Sequence, residues 1–387
     1  MRGQSQLQMT LNPPDPPKIL FLFSDTGGGH RSAAEAIIEA LHLELGERVS
    51  TQMVDIIKAY APRPLNRMPQ LYPQMVRVPE LWGLGYHLTD NQTQSRLIND
   101  TTWPFIRRSM RRLIAHHPSD LIVSVHPLAT KPVLRALGKQ HPPFITMVTD
   151  LVTAHAFWYD PQVDLCIVPT EGARLRALEC KLAPEQVRVV GLPVADRFCQ
   201  PQGDRQALRL SLGWPPDLPT ILLVGGGEGM GPLERNAEAI AESGLPAALV
   251  VVAGRNLKLK QRLEARSWPI PTFIYGFVRN MPDLMSAADI LVSKAGPGTI
   301  TEALNAGLPI ILYSRLPGQE EGNVTYVTAE GAGVWAPEPR QVVAALQQWI
   351  YQPEARHKAA QSSRRLARPQ SAREIARLLA GWVGINP

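Results

Sequence analysis

The sequence predicts an α/β protein made of two doubly wound domains facing one another, and three observations lead there. Its 387 residues exceed the size at which one hydrophobic core keeps growing. Apolar runs of four to eight residues alternate with helix-period segments, the pattern of parallel sheets with crossover helices. The alternation also restarts, with a first series of runs at 19–23, 49–57, 121–125, 144–148 and 165–168, and a second at 220–224, 247–252, 273–275, 290–292 and 310–313.

Domain limits follow from what separates the runs. Pro13, Pro14, Pro16 and Pro17 mark residues 1–17 as a stiff, disordered tail. The stretch "GLPVADRFCQPQGDRQALRLSLGWPPDLP" reads as connection rather than core, which divides the chain into 18–195 and 196–365. Residues 366–387 are expected to form a helix that packs back on the first domain. Cys166, Cys180 and Cys199 are widely spaced, with no CxxC, so they read as buried thiols in a reducing compartment. No run approaches eighteen apolar residues, and Asp25 interrupts the N-terminal apolar run; the expectation is a cytoplasmic, soluble or peripheral protein.

A net charge of +6 is mild evidence for an anionic partner, and position says more. Arg63, Arg67, Arg77, Arg96, Arg107, Arg108, Arg111 and Arg112 share one region with Tyr72, Trp82, Tyr86, Trp103 and Phe105. Arginines interleaved with aromatics suit an anionic membrane surface, and equally a solvated helix face over core aromatics. No nucleic-acid recognition module accompanies the charge, so none is expected as a partner.

Ligands of doubly wound domains bind at the carboxyl ends of the strands, so chemistry should sit in the loops just after the apolar runs. The first such loop is "SDTGGGHRSAAE", residues 24–35, where three glycines allow close backbone approach and His30 follows. It lacks the Lys-Ser/Thr pair of a phosphate-binding P-loop. The second domain opens with "GGGEGMGP": Gly225, Gly226, Gly227, Gly229 and Gly231 free a backbone ahead of a helix, which suits either an anion or a plain tight turn. As a dinucleotide fingerprint it is weak, with Arg255 standing where an acidic ribose partner is expected.

A sharper site lies in "ADILVSKAGPGTITEALNAGLPIIL", residues 288–312. Ser293, Lys294, Gly296, Gly298 and Thr299 present hydroxyls, one cation and open N–H groups to a diphosphate, and Glu302 stands one helical turn in, placed to accept ribose hydroxyls. Gln319, Glu320 and Asn323 in "PGQEEGNVTYV" offer the planar donors and acceptors that sugar hydroxyls need, although an ordinary solvated loop is also acidic and glycine-rich. His126, Asp150, His155, Trp158 and Tyr159 follow strands of the first domain; each reads as either cleft wall or structure.

Together these segments resemble the sugar-nucleotide domain of inverting GT-B glycosyltransferases of family 28. "SDTGGGHRSAAEAI", "PSDLIVSVHPL" and "TDLVTAHAFWY" are similar to the branch of monogalactosyldiacylglycerol synthases and processive diacylglycerol glucosyltransferases. The resemblance implies two Rossmann-like domains around a cleft. It implies transfer of a hexose from a UDP-sugar to the hydroxyl of diacylglycerol, with inversion, on the cytosolic face of an anionic membrane, without metal or cofactor. Gly225, Gly226, Gly227, Gly229 and residues 293–299 would hold the diphosphate, and Glu302 the ribose. The main chain at Phe277 and Val278 would bracket the uracil. Gln319 and Glu320 would face the hexose, supported by Asn323.

Inverting transfer also needs a base for the acceptor hydroxyl. His30 suits that role, with Asp150 as rival base or as its orienting partner. Gly28, Gly29, His126, His155 and Trp158 would lie on the acceptor side. The alternative is an N-acetylglucosamine transfer from its UDP derivative to a polyprenyl-linked cell-wall intermediate. Glucose and galactose differ in one hydroxyl's orientation, which the residues alone do not resolve.

Overall fold

The structure is a computed structural model that describes residues 15–26, 28–68, 70, 79–200, 203–229 and 231–386. The tail before residue 15, Gly27, Tyr72 and Arg77 lie outside the described residues.

The first sheet contains β1 (Lys18–Phe23), β2 (Ser50–Asp55), β3 (Leu121–Ser124), β4 (Phe144–Met147), β5 (Leu165–Val168) and β6 (Val187–Val189), in spatial order β2-β1-β3-β4-β5-β6. The second contains β7 (Thr220–Val224), β8 (Ala248–Val252), β9 (Thr272–Tyr275), β10 (Ile290–Lys294), β11 (Ile310–Ser314) and β12 (Gly333–Trp335), in order β12-β11-β10-β7-β8-β9. Every ladder is parallel. A parallel strand is covered by helices on both faces, so its sequence is continuously apolar rather than alternating. β1 and β7 show this, with Ile19–Phe23 and all of Thr220–Val224 buried. Cys166 and Cys180 pack in the first-domain core, where burial pushes both thiols up.

Each sheet reverses its winding direction once, between β1 and β3 in the first and between β7 and β10 in the second. Such switch points open a crevice at the strands' carboxyl ends. The loops after β1 and β3 therefore meet on the rim of one domain, and those after β7 and β10 on the rim of the other.

The chain crosses between domains twice. After the second sheet, helix Ser371–Trp382 returns and buries Ile375, Ala376 and Leu379 against helix Gly28–Leu45. Arg377 pairs with Glu44 at 3.0 Å, Arg373 bridges Glu44 and Asp196, and Ser371 Oγ donates to the Leu192 carbonyl at 2.9 Å. The helix that begins in the first glycine loop is thus braced from behind by the last helix of the chain.

Candidate active site

Three histidines gather on the first-domain rim, and their hydrogen bonds separate them. Nδ1 of His126 accepts the Leu128 N–H at 3.3 Å, capping the helix Pro127–Leu137. Burial holds this ring neutral, so its single proton is on Nε2 and is donated to Thr26 Oγ1 at 2.7 Å. His155 is engaged in the same way: Nδ1 accepts from Phe157 N–H at 3.1 Å and Nε2 meets Thr89 Oγ1 at 3.1 Å, while burial pushes its pKa down to about 4. Both rings have spent their lone pair on backbone.

His30 differs. It is the third residue of helix Gly28–Leu45, buried to 9% exposure, with its pKa pushed down by burial to about 4 against a backbone hydrogen bond at Val125. Its Nδ1 lies 2.9 Å from Thr149 Oγ1, and no described side chain hydrogen-bonds its Nε2. The rings of His126 and Trp158 pack on it at centroid distances of 4.6 and 5.7 Å. A Cβ added at Gly28 or Gly29 would meet no atom within 4 Å, so these two glycines border open space at the start of the helix that carries His30. Gly229 and Gly254 contrast with them. Both have positive φ, and a Cβ there would lie 2.2 Å from the Ala253 carbonyl and 2.4 Å from the Gly227 carbonyl, so those glycines let two loops pack on each other.

The hydrogen bonds of Asp150 go to residues other than His30. Trp158 Nε1 donates to its Oδ2 at 2.7 Å, and Gln319 Nε2 donates to its Oδ1 at 3.1 Å across the domain boundary. Burial raises its pKa to about 6, against those two donors. The orienting contact expected of Asp150 comes instead from its neighbour Thr149, because successive residues leaving β4 turn to opposite sides. Of the two readings open for Trp158, cleft wall or core, the structure supports the second: it has no exposed surface and holds Asp150.

Gln319 is clamped from several sides. Its carbonyl accepts from Thr153 Oγ1 at 2.7 Å, the Thr153 carbonyl accepts from Tyr86 OH at 2.7 Å, and a Cβ on Gly318 would strike the Tyr86 ring at 2.6 Å. Its Oε1 is buried without a hydrogen-bond partner among the described residues. Thr149, Thr153 and Tyr86 escape sequence reasoning: the threonines are unremarkable in composition, and Tyr86 sits in the stretch assigned to membrane contact, whereas the structure buries it between the domains.

On the donor side, Lys294 Nζ pairs with Glu320 Oε1 at 2.7 Å, and Glu320 Oε2 accepts the Leu316 N–H at 2.8 Å. Both oxygens of the carboxylate expected to face a hexose are therefore engaged within the protein, and Glu320 is buried. Lys294 also runs beneath Gly226, whose Cβ position is 3.1 Å from Cε, tying the two glycine loops together. Helix Pro297–Asn305 directs its open N-terminus at the same place, with Gly298 facing unfilled space and Thr299 part-exposed.

Glu302 is partly buried, and desolvation pushes its pKa up to about 8, opposed by Arg197. Ser293 is fully buried with an unpartnered Oγ, so it faces the interior and not the cleft as expected. Asn323 is buried too and donates to the Ala295 carbonyl at 2.9 Å, bracing the phosphate-side loop. Val278 packs on the core, while Phe277 is 54% exposed beneath the Arg255 guanidinium, 4.5 Å from its ring centroid.

Two opposed doubly wound domains, with a histidine rim on one and a cation-bearing pair of glycine loops on the other, make up the GT-B fold. MurG from Acinetobacter baumannii shares that fold at a TM-score of 0.60 and 17% identity, over 94% of this chain and all of that one. The sequence comparisons narrow the class. The family described as monogalactosyldiacylglycerol synthase matches residues 30–194, and the glycosyltransferase family 28 C-terminal domain matches residues 220–378. A probable chloroplastic monogalactosyldiacylglycerol synthase of Glycine max is 38% identical over 93% of this chain and 70% of its own length. Monogalactosyldiacylglycerol synthase 1 of Arabidopsis thaliana is 37% identical over the same shares. The chain belongs to the monogalactosyldiacylglycerol synthase family.

Proposed function

We propose that the protein transfers galactose from UDP-galactose to the hydroxyl of 1,2-diacylglycerol at an anionic membrane surface, inverting the anomeric centre. One observation carries the reading: adjacent residues Thr149 and Asp150 hold, respectively, the histidine of one domain and Gln319 on the donor loop of the other. The names of the relatives supply the acceptor and the hexose. In the reaction, Nε2 of His30 takes the proton of the acceptor hydroxyl as its oxygen bonds to the anomeric carbon from the face opposite the diphosphate. The bond from that carbon to the diphosphate breaks, and its electron pair leaves with UDP. Lys294, aimed by Glu320, and the N-terminus of helix Pro297–Asn305 meet the departing charge, Glu302 takes the ribose, and Gln319 orients the hexose.

The test is direct. Protein is incubated with diacylglycerol in vesicles containing phosphatidylglycerol and with UDP-galactose, UDP-glucose or the UDP derivative of N-acetylglucosamine. The product is read by mass spectrometry and the anomeric proton coupling. The expected product is a β-galactosyldiacylglycerol. An α-linked product would remove the inverting mechanism, glucose transfer would reassign the donor, and turnover only with a polyprenyl-linked acceptor would replace the acceptor assignment.

Membrane contact is assigned to helix Gln92–His116. Met110 and Leu113 bury one side of it, while Leu97, Phe105, Arg108, Arg111 and Arg112 occupy roughly a 120° arc on the other. Phe105 is 75% exposed. Trp103 is not part of this face: the Arg135 guanidinium covers it at 4.7 Å. Among the described residues no helix is long and apolar enough to cross a membrane. With about 1 kcal/mol for each basic residue at an anionic surface, replacing Arg108, Arg111 and Arg112 by glutamine should weaken sedimentation with phosphatidylglycerol vesicles by about 10²-fold at low salt. The difference should shrink as salt rises. Equal binding of wild type and variant at low salt would remove the assignment.

A further inference from the structure

We propose that Thr149 is a positioning residue whose hydroxyl oxygen accepts the Nδ1 proton of His30 and so keeps the Nε2 lone pair for the acceptor. The inference rests on His30 being the base. A neutral imidazole has one protonated and one bare nitrogen, and only the bare one can take a proton. The Oγ1–Nδ1 separation of 2.9 Å is a hydrogen bond in either direction, and the base role sets the direction: a ring that takes a proton at Nε2 carries its own on Nδ1, where Thr149 Oγ1 is within reach to accept it. His126 and Trp158 pack on the ring and hold its orientation.

Among the described residues no carboxylate hydrogen-bonds the ring. Asp150 is committed to Trp158 and Gln319, and Asp25 is paired with Arg31 through two bonds of 2.7 Å. A hydroxyl orients the base without adding charge. The negative charge that favours the imidazolium then arrives with the substrate diphosphate.

The experiment compares Thr149→Val, which keeps the shape and removes the acceptor, with Thr149→Ser, which keeps the oxygen. Imidazole ¹⁵N shifts are recorded on histidine-labelled protein, with the His30 signals identified by difference against His30→Gln. Wild type should show protonated Nδ1 and bare Nε2. Thr149→Val should lose that preference and about tenfold or more in kcat, with both KM values within twofold, while Thr149→Ser stays near wild type. The proposal is overturned by a protonated Nε2 in wild type, by Thr149→Val turning over within twofold of wild type, or by Thr149→Ser failing as badly as Thr149→Val. If Thr149→Val does not fold, the wild-type tautomer alone decides. Full activity of His30→Gln would overturn the base itself; an inactive His30→Gln beside an active Thr149→Val would overturn only the role of Thr149.

Discussion

Replacing His30 with glutamine is expected to lower kcat by about 10²- to 10⁴-fold at neutral pH while leaving the donor KM within a few-fold. Glutamine keeps much of the volume against Trp158 and His126 but cannot take a proton. Retention of more than about a tenth of wild-type turnover would remove the base assignment. The pH dependence carries a second signature. Burial pushes the His30 pKa down to about 4 in the unliganded protein, so the ring is in its basic form at any pH well above that. The acid limb attributable to His30 in kcat/KM, which reports the free protein, should therefore fall near pH 4 rather than 6.5. A bound diphosphate brings negative charge toward the ring and favours imidazolium, which raises the pKa. The corresponding limb in kcat, which reports the liganded protein, should accordingly lie at higher pH. Coincident limbs, or a kcat limb on the acid side, would mean that the diphosphate and the ring do not sense each other.

Much of this site was legible before the coordinates, and the illegible part has a common physical cause. The apolar run at 220–224 matches β7 residue for residue, because a strand buried on both faces shows itself as a continuous run. That His30, His126, Asp150 and His155 share a rim followed from where the runs end. Which histidine keeps a usable lone pair did not, because the answer lies in partners far away in sequence: Thr26 lies 100 residues from His126, and Thr149 119 residues from His30. Likewise Lys294 and Glu320 read as two separate ligand contacts, one for phosphate and one for sugar. Only the packing of the loops after β10 and β11 shows that they are first of all partners of each other.

That pairing makes the second large effect. Replacing Lys294 with methionine leaves the Glu320 carboxylate buried, with the Leu316 N–H as its remaining partner, and breaking a buried pair on one side costs about 3–5 kcal/mol. For a domain of this size each kcal/mol lowers the melting temperature by about 2–4 °C, so the loss should be plain in a thermal scan. The double variant Lys294→Met/Glu320→Gln removes the stranded charge, while the glutamine oxygen still accepts from Leu316, and it should recover most of the stability. It should not recover turnover. An ammonium has three donors, so Nζ can hold Glu320 and a diphosphate oxygen together, and Glu320 then aims the cation at the leaving group. Methionine offers the diphosphate nothing, and UDP at 100 times its wild-type Kd, which stabilises the wild type by about 2.7 kcal/mol, should barely move the melting temperature of the double variant. A single variant as stable as wild type would mean that Glu320 does not depend on the lysine. A double variant with wild-type turnover would mean that the departing diphosphate is stabilised by the helix N-terminus without any cation at residue 294.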